Sequence, residues 1–276
     1  MHGFYLMGLR AIRYFRMAQT EFARALERIA SGRRINRAAD DPAGLAISER
    51  MRAQIRGLKQ ASRNAQDGIS LLNTADGALG ESQAVLHRLR EIAVYAAADT
   101  LSPSDRQALQ MEFSELIKVV DEIAANTNFN TIPLLDGSKK SLILQIGANA
   151  GQNTAIDLKD MSSAGLGLND AEGNPISVAT REEADQAIAA VDSAIGAVSA
   201  QRAYLGAKTR GLEHTVNNLE NTALNLTAAE SRVGDADIAR EILNLVQAQI
   251  RMQAALAMTA QANFNQQMIL RLLWPA

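Results

Sequence analysis

The chain has 276 residues, 47% of them hydrophobic but only 4% aromatic, with five prolines, no cysteine and a formal net charge of −2. The charge excludes a global basic field for nucleic acid, and the missing cysteine excludes zinc–thiolate sites, thiol nucleophiles and a disulfide framework. His2, His87 and His214 lie too far apart to argue for a histidine metal site, and the few rings point to aliphatic seams of the kind found in helical bundles.

The predicted elements follow in chain order. Over about 4–30, Ala11, Phe15, Ala18, Phe22, Ala25 and Ile29 recur at steps of four and three, which makes one face of a helix. Arg10, Arg13 and Arg16 interrupt the apolar run that a cleavable signal peptide would need. Ser31-Gly32 ends the helix. Next comes RINRAADDPAGLAIS (34–48), dense in charges and breakers. Asp41 suits a helix cap and Pro42 a first helical position. Arg33, Arg34 and Arg37 are close enough to pair with Asp40 and Asp41. We therefore read Arg34, Asn36, Arg37, Asp40, Asp41 and Pro42 as a joint fixing the angle between two helices. An acid/base pair is disfavoured, since adjacent carboxylates rarely converge on one substrate.

A long helix is expected over about 44–98, with Ile47, Met51, Ile55, Leu58, Ala65, Ile69, Leu72, Leu79 and Leu86 at steps of three, four or seven. Gly57, Gly68, Gly77 and Gly80 inside it argue for close approach by neighbouring backbones or for a helix stable only once packed. Ser102-Pro103-Ser104-Asp105 predicts a strong helix start, and Leu109, Phe113, Leu116, Val120 and Ile123 carry the stripe that follows. From 126 to 175 glycine, asparagine and serine become frequent. LILQI (142–146) and AIDL (155–158), separated by NAGQN, predict a hairpin, the one β candidate of the sequence. GLGLND (165–170) lacks the helix that a phosphate loop needs. Helix returns near 180. Val191, Ile195, Val198, Leu205, Leu212, Val216, Leu219 and Leu226 hold a heptad-like register. A break is predicted at Gly234-Asp235, with Asp235 and Asp237 as helix-start charges; they lack the spacing of a calcium loop. The last helix, about 236–272, opens with Ile238, Ile242 and Leu245 and then turns Ala/Gln/Asn-rich. Its glutamines and asparagines argue against a membrane span.

The expected fold is mainly α: a long antiparallel helical bundle or coiled-coil rod with a small β-hairpin region, its N- and C-terminal helices paired. The division expected is a terminal arm over 1–40, a rod over 41–235 with the β region at about 126–175, and a second terminal arm over 236–276. The two end helices are thin-faced and marginal alone. They should find partners in one another and in further copies of the chain. Phe15, Phe22, Ile29, Ile238, Ile242, Leu245, Met252 and Leu256 form the assembly stripe expected on them.

RINRAADDPAGLAISERMRAQIRGLKQASRNAQDGISLLNTADGAL (34–79) closely resembles the N-terminal region of bacterial flagellins. LHRLREIAVYAA (86–97), NTNFNTIPLLDG (126–137) and LEHTVNNLENTALNLTAAESRVGDADIAREI (212–242) resemble later segments in the family's order. The resemblance implies a filament subunit with no enzymatic role and no cofactor. Its terminal arms would pair as an inner helical layer, and the large variable outer domains would be absent. It also implies export without a cleavable signal peptide to an extracellular flagellum, and partners in an export chaperone, a cap protein and hook–filament junction proteins. Arg88, Arg90, Glu91 and Ile92 match the segment recognised by the host innate immune receptor that detects flagellin; intersubunit or solvated charges are the plainer reading. Two alternatives stay open: a hook–filament junction protein, and a membrane-active module built on the basic first helix. The sequence departs from the family in its arginine-rich first thirty residues, at Arg33 and in its Trp274-Pro275 end.

Overall fold

The computed structural model describes residues 2–169 and 174–273, with side chains for 8–169, 174–265, 267 and 268. Asp170 and the Trp274-Pro275 end lie outside the described residues. In chain order the elements are α1 (His2–Ser31), α2 (Pro42–Ala96), α3 (Pro103–Asn126), β1 (Asn128–Phe129), β2 (Ile132–Pro133), β3 (Ser141–Gln145), β4 (Asn153–Asp157), α4 (Arg181–Gly234) and α5 (Ile238–Leu273). They form two compact units. One comprises residues 1–54 and 224–276, the other 55–223, so α2 and α4 each contribute to both. The divisions fall inside the helices rather than at the breakers near 40 and 235.

The unit of residues 55–223 holds the larger core. Along α2, Ala65, Leu72, Leu79, Leu86 and Ala93 are buried at every seventh residue, and Ala61, Ala75, Leu89 and Ala96 occupy a second heptad position. Along α4 the buried series is Ala184, Val191, Val198, Leu205, Leu212 and Leu219. Strict sevens on both helices give coiled-coil packing. Arg90 meets Asp192 at 2.6 Å and Arg202 meets Asp76 at 2.8 Å, so α2 and α4 run antiparallel. Phe113, Ile117 and Val120 of α3 close the same core. The start of α3 is a full capping box: the Ser102 side chain accepts from the Asp105 N–H, and the Asp105 carboxylate accepts from the Ser102 N–H.

The predicted hairpin forms as β3 and β4, with Leu142 opposite Ile156 and Leu144 opposite Thr154. Two of the five α2 glycines, Gly57 and Gly68, admit it. A Cβ on Gly68 would meet Leu144 Cδ2 at 2.5 Å, and one on Gly57 would meet Ala148 Cβ at 2.9 Å. Gly77 has nothing within 4 Å, so close approach does not account for it. A second hairpin, β1–β2, was not expected from the sequence. Asn130 and Thr131, at φ 49° and 66°, make its two-residue turn, and positive φ at both central residues is the mark of a type I′ hairpin. In GLGLND, Leu166 and Leu168 are buried in the core, so the run is a packing loop.

Candidate functional site

The joint gathers both arms of the chain in the unit of residues 1–54 and 224–276. The Arg34 N–H donates to the Gly234 carbonyl at 2.8 Å, and the Ala236 N–H donates to the Gly32 carbonyl at 3.0 Å. Arg33 and Asp235 thereby form an antiparallel bridge. The predicted cap is present: the Gly44 N–H donates to Asp41 Oδ1 at 2.9 Å, with Pro42 at the first helical position. Gly44 leaves room for this closure, since a Cβ there would lie 2.7 Å from Ile35 Cδ1. The charge pairing differs from the sequence expectation. The Arg34 guanidinium donates to the Val233 carbonyl at 2.6 Å and reaches Asp41 only at 3.8 Å. Arg37 pairs with Glu27 at 3.0 Å. Asp40 accepts the N–H groups of Asn36 and Arg37, and these bonds, the one from Arg37 foremost, hold its carboxyl below the usual aspartate range. The charges thus tie loop backbone and the two arms together more than they pair with each other, because unpaired backbone groups in a tight turn are the stronger demand. Beside the joint, Arg52 Nη2 meets Glu230 Oε1 at 2.6 Å, with both side chains largely shielded. Nothing in the local sequence around either residue marks this pair.

α1 packs along α5. Arg28 Nη1 lies 3.3 Å from Glu241 Oε1, Arg251 Nη1 lies 3.0 Å from Glu21 Oε2, and a Cβ on Gly8 would lie 3.9 Å from Ala262 Cβ. Residue numbers falling on one helix as they rise on the other make the pair antiparallel. In that register Ala25, Ala18 and Ala11 stand level with Leu245, Met252 and Thr259, while Phe22 and Phe15 stand level with Ala248 and Ala255. Small residues on one helix therefore face larger ones on the other, and the seam's buried centre is alanine: Ala11, Ala18, Ala25, Ala248 and Ala255.

The fold divides the expected assembly stripe. Phe15, Phe22, Ile29, Leu245 and Met252 are half-buried along the α1–α5 seam, whereas Ile238, Ile242 and Leu256 are exposed outside it. The sequence reading followed large residues and missed that α5 meets its neighbour through small ones.

A second seam follows on α5. Leu243, Val246, Ile250, Gln253, Ala257, Ala260 and Phe264 keep alternating steps of three and four, two residues and so about 200° around the helix from the α1 seam. All are exposed, with Leu243 at 63% and Ile250 at 60%. Between α1 and α5 runs a groove of about 710 Å³, floored by Ala11, Ala18 and Ala255 and walled by Tyr14, Met17 and Met258.

The segment matched to receptor recognition is split by the fold. Ile92 is 2% exposed and belongs to the core, so no partner can reach it. Arg90 is held by Asp192, Arg88 spans Glu91 and Glu112, and Glu91 is exposed. Asp237 caps α5 by accepting the Arg240 N–H at 3.2 Å. Among the described residues no cluster of histidine or acidic side chains could hold a metal, and no helix is long and apolar enough to cross a membrane.

Two helical arms knotted at one joint, with apolar faces that a single copy leaves uncovered, define a structural protein of the polymerising helical-rod class. The comparisons give the family. The bacterial flagellin N-terminal helical region matches residues 5–140, and the flagellin C-terminal helical region matches residues 188–273. Flagellin of Halalkalibacterium halodurans is 46% identical over 91% of this chain and 91% of its own length, and flagellin of Bacillus subtilis is 44% identical over 90% and 91%. A crystal structure of Bacillus cereus flagellin matches with a TM-score of 0.51 at 31% identity, covering 61% of this chain and 94% of that one. A flagellar hook-associated protein of Vibrio parahaemolyticus, at 14% identity, 71% and 100% coverage and a TM-score of 0.59, shares the fold alone. The chain belongs to the bacterial flagellin family, in a compact form without a large variable domain, and is a structural subunit of the flagellar filament.

Proposed function

We propose that the filament grows by burying the second seam of α5, together with the outer face of α1, against neighbouring copies. The observation that carries this reading is the run Leu243, Val246, Ile250 and Phe264, which keeps heptad spacing yet stays exposed beside a fully formed α1–α5 pair. An apolar seam left in water carries a driving force for association until a partner helix covers it. The contact is heterologous, one face of α5 on a different face of the next copy, so growth is open-ended rather than closed. The same exposed seam suits an export chaperone that shields it before assembly. The arginine-interrupted start of α1 and the lack of cysteine fit export without a cleavable signal to an extracellular filament, where a cap protein and junction proteins flank the growing polymer.

The test is polymerisation of the purified chain, followed by sedimentation and electron microscopy. Ile250→Asp should leave helix content by circular dichroism unchanged and abolish filaments. Filaments of normal yield from that variant would overturn the reading.

Arg88, Arg90 and Glu91 are the exposed members of the receptor-matched segment, the ones within reach of a host receptor. On this reading Glu91→Ala lowers binding of the flagellin-detecting receptor's ectodomain while polymerisation is kept. Unchanged binding would leave these residues to solvent.

A further inference from the structure

We propose that Glu241 holds the register of the α1–α5 pair together with the Arg33–Asp235 bridge at the joint, because a one-heptad slip strips it of Arg28 and brings like charges together in the seam. The apolar seam cannot do this alone. Its small residues repeat at sevens on both helices, Ala11, Ala18 and Ala25 on α1 and Ala248, Ala255 and Ala262 on α5. A slip of seven residues, about 10.5 Å, again sets small residues against larger ones, Ala18 against Leu245 or Thr259 in place of Met252. The charges break the degeneracy. In the observed register Glu241, buried at 7% exposure, takes Arg28 on Oε1, while Asn244 Nδ2 donates to Oε2 at 3.3 Å. The second pair, Arg251 with Glu21, is exposed and screened, and it weighs less.

The two slips fail for different reasons. Sliding α5 toward the start of α1 brings Glu241 beside Glu21, setting two carboxylates against each other and leaving one of them shielded without a cation. Sliding it the other way carries Glu241 past the end of α1 at Ser31 and brings Arg251 beside Arg28. Both alternatives lose the buried pair and gain a repulsion, which is how a polar seam position specifies register in coiled coils. The register in turn sets where the second seam of α5 stands relative to the outer face of α1. That consequence rests on the assembly reading; the register itself does not.

The chain has no cysteine, so an engineered pair reports register without ambiguity. The separation of 3.9 Å between a Gly8 Cβ and Ala262 Cβ suits a disulfide, so Gly8→Cys with Ala262→Cys closes in the native register. Gly8→Cys with Ala255→Cys closes only after the slip that opposes Glu241 to Glu21. Both pairs are placed in the full chain at dilution, oxidised, and scored as intramolecular cross-links by peptide mapping. The expected ratio of native to slipped cross-link is high with Glu241 present and falls at least about tenfold in Glu241→Ala. A second variant, Glu21→Arg with Arg28→Ala, offers Glu241 its cation one heptad away and should reverse the preference toward the Ala255→Cys pair. If Glu241→Ala unravels the pair, loss of both cross-links with retained closure at Ala255→Cys in the second variant supports the inference. A native-to-slipped ratio unchanged in both variants overturns it. Polymerisation is scored separately on the chain without cysteines, so failure of the assembly reading shows as absent filaments with the register result intact.

Discussion

Arg52 and Glu230 stand 178 positions apart in sequence and share one of the better-shielded ion pairs of the molecule. Removing Glu230 leaves Arg52 largely desolvated with only the more exposed Glu49, at 3.0 Å, as a partner, so Glu230→Ala should cost about 2 kcal/mol of stability, read from the urea midpoint. A change within error would mean that the arginine finds another acceptor. The capping box of α3 is a local case of the same logic. Ser102→Ala frees the Asp105 N–H and should cost about 1 kcal/mol by the same measurement. Asp105 also sets a pH dependence. The side-chain and backbone hydrogen bonds of Ser102 hold its folded-state pKa below the ordinary aspartate value. A depressed carboxylate contributes stability that is present above its unfolded pKa and lost as pH falls through the folded one. The loss therefore begins near about pH 4 and deepens on further acidification. Asp105→Asn should flatten this part of the acid limb of the stability–pH curve, and an unaltered limb would assign it to Asp40 and the remaining carboxylates.

At the scale of elements, what the sequence made legible depended on whether the signal was local. The capping box, the Asp41 cap, the Asp237 helix start and the β3–β4 hairpin all depend on residues within a few positions of one another, and they form where expected. The heptads of α2 and α4 were equally plain because their large residues repeat strictly at seven. The β1–β2 hairpin was hidden by its turn. Asn130 is a common left-handed residue, but Thr131 at φ 66° is β-branched and signals nothing of the kind. Thr131→Gly should relieve that strain and raise stability by about 0.5–1 kcal/mol after the entropy cost of the glycine, measured by thermal or urea unfolding. A loss would show that the threonine side chain, rather than the backbone, holds the turn. The α1 side of the α1–α5 seam was legible, since Ala11, Phe15, Ala18, Phe22, Ala25 and Ile29 keep one face, but the α5 side was not. Ala248 and Ala255 carry little weight in a search for hydrophobic stripes, yet two helices that meet closely need small residues at the contact. Ile242 and Leu256 lie off that contact, and Ile238, one heptad before Leu245, stands beyond the end of α1.

At the scale of the whole molecule, the composition that looked poor for a core becomes intelligible as a division of labour. Residues 55–223 bury Leu, Ile, Val and one fully enclosed phenylalanine, and this unit has its own core. The terminal arms bury alanines fully and Phe15, Phe22, Ile29, Leu245 and Met252 in part against each other, and leave Leu243, Val246, Ile250 and Phe264 outward. On the proposed reading, a copy in isolation carries the driving force for polymerisation on this surface. Leu243, Ile250 and Phe264 each have about half or more of their surface still to bury, at 63%, 60% and 56% exposure. Covering that remainder contributes about 1–1.5 kcal/mol per side chain, close to a tenfold change in an association constant. Leu243→Ser, Ile250→Ser and Phe264→Ser should therefore each raise the critical concentration for filament growth about tenfold. Because neighbouring positions on one seam are covered by the same partner helix, the effects of pairs should combine, with departures from additivity greatest for Leu243 with Ile250, one heptad apart. Serine at Ile143, which is 74% exposed on β3 and outside both seams, is the matched control. If Ile143→Ser raises the critical concentration as much as the α5 variants do, the driving surface lies on the hairpin, and the uncovered seam of α5 is only the outside of a paired helix.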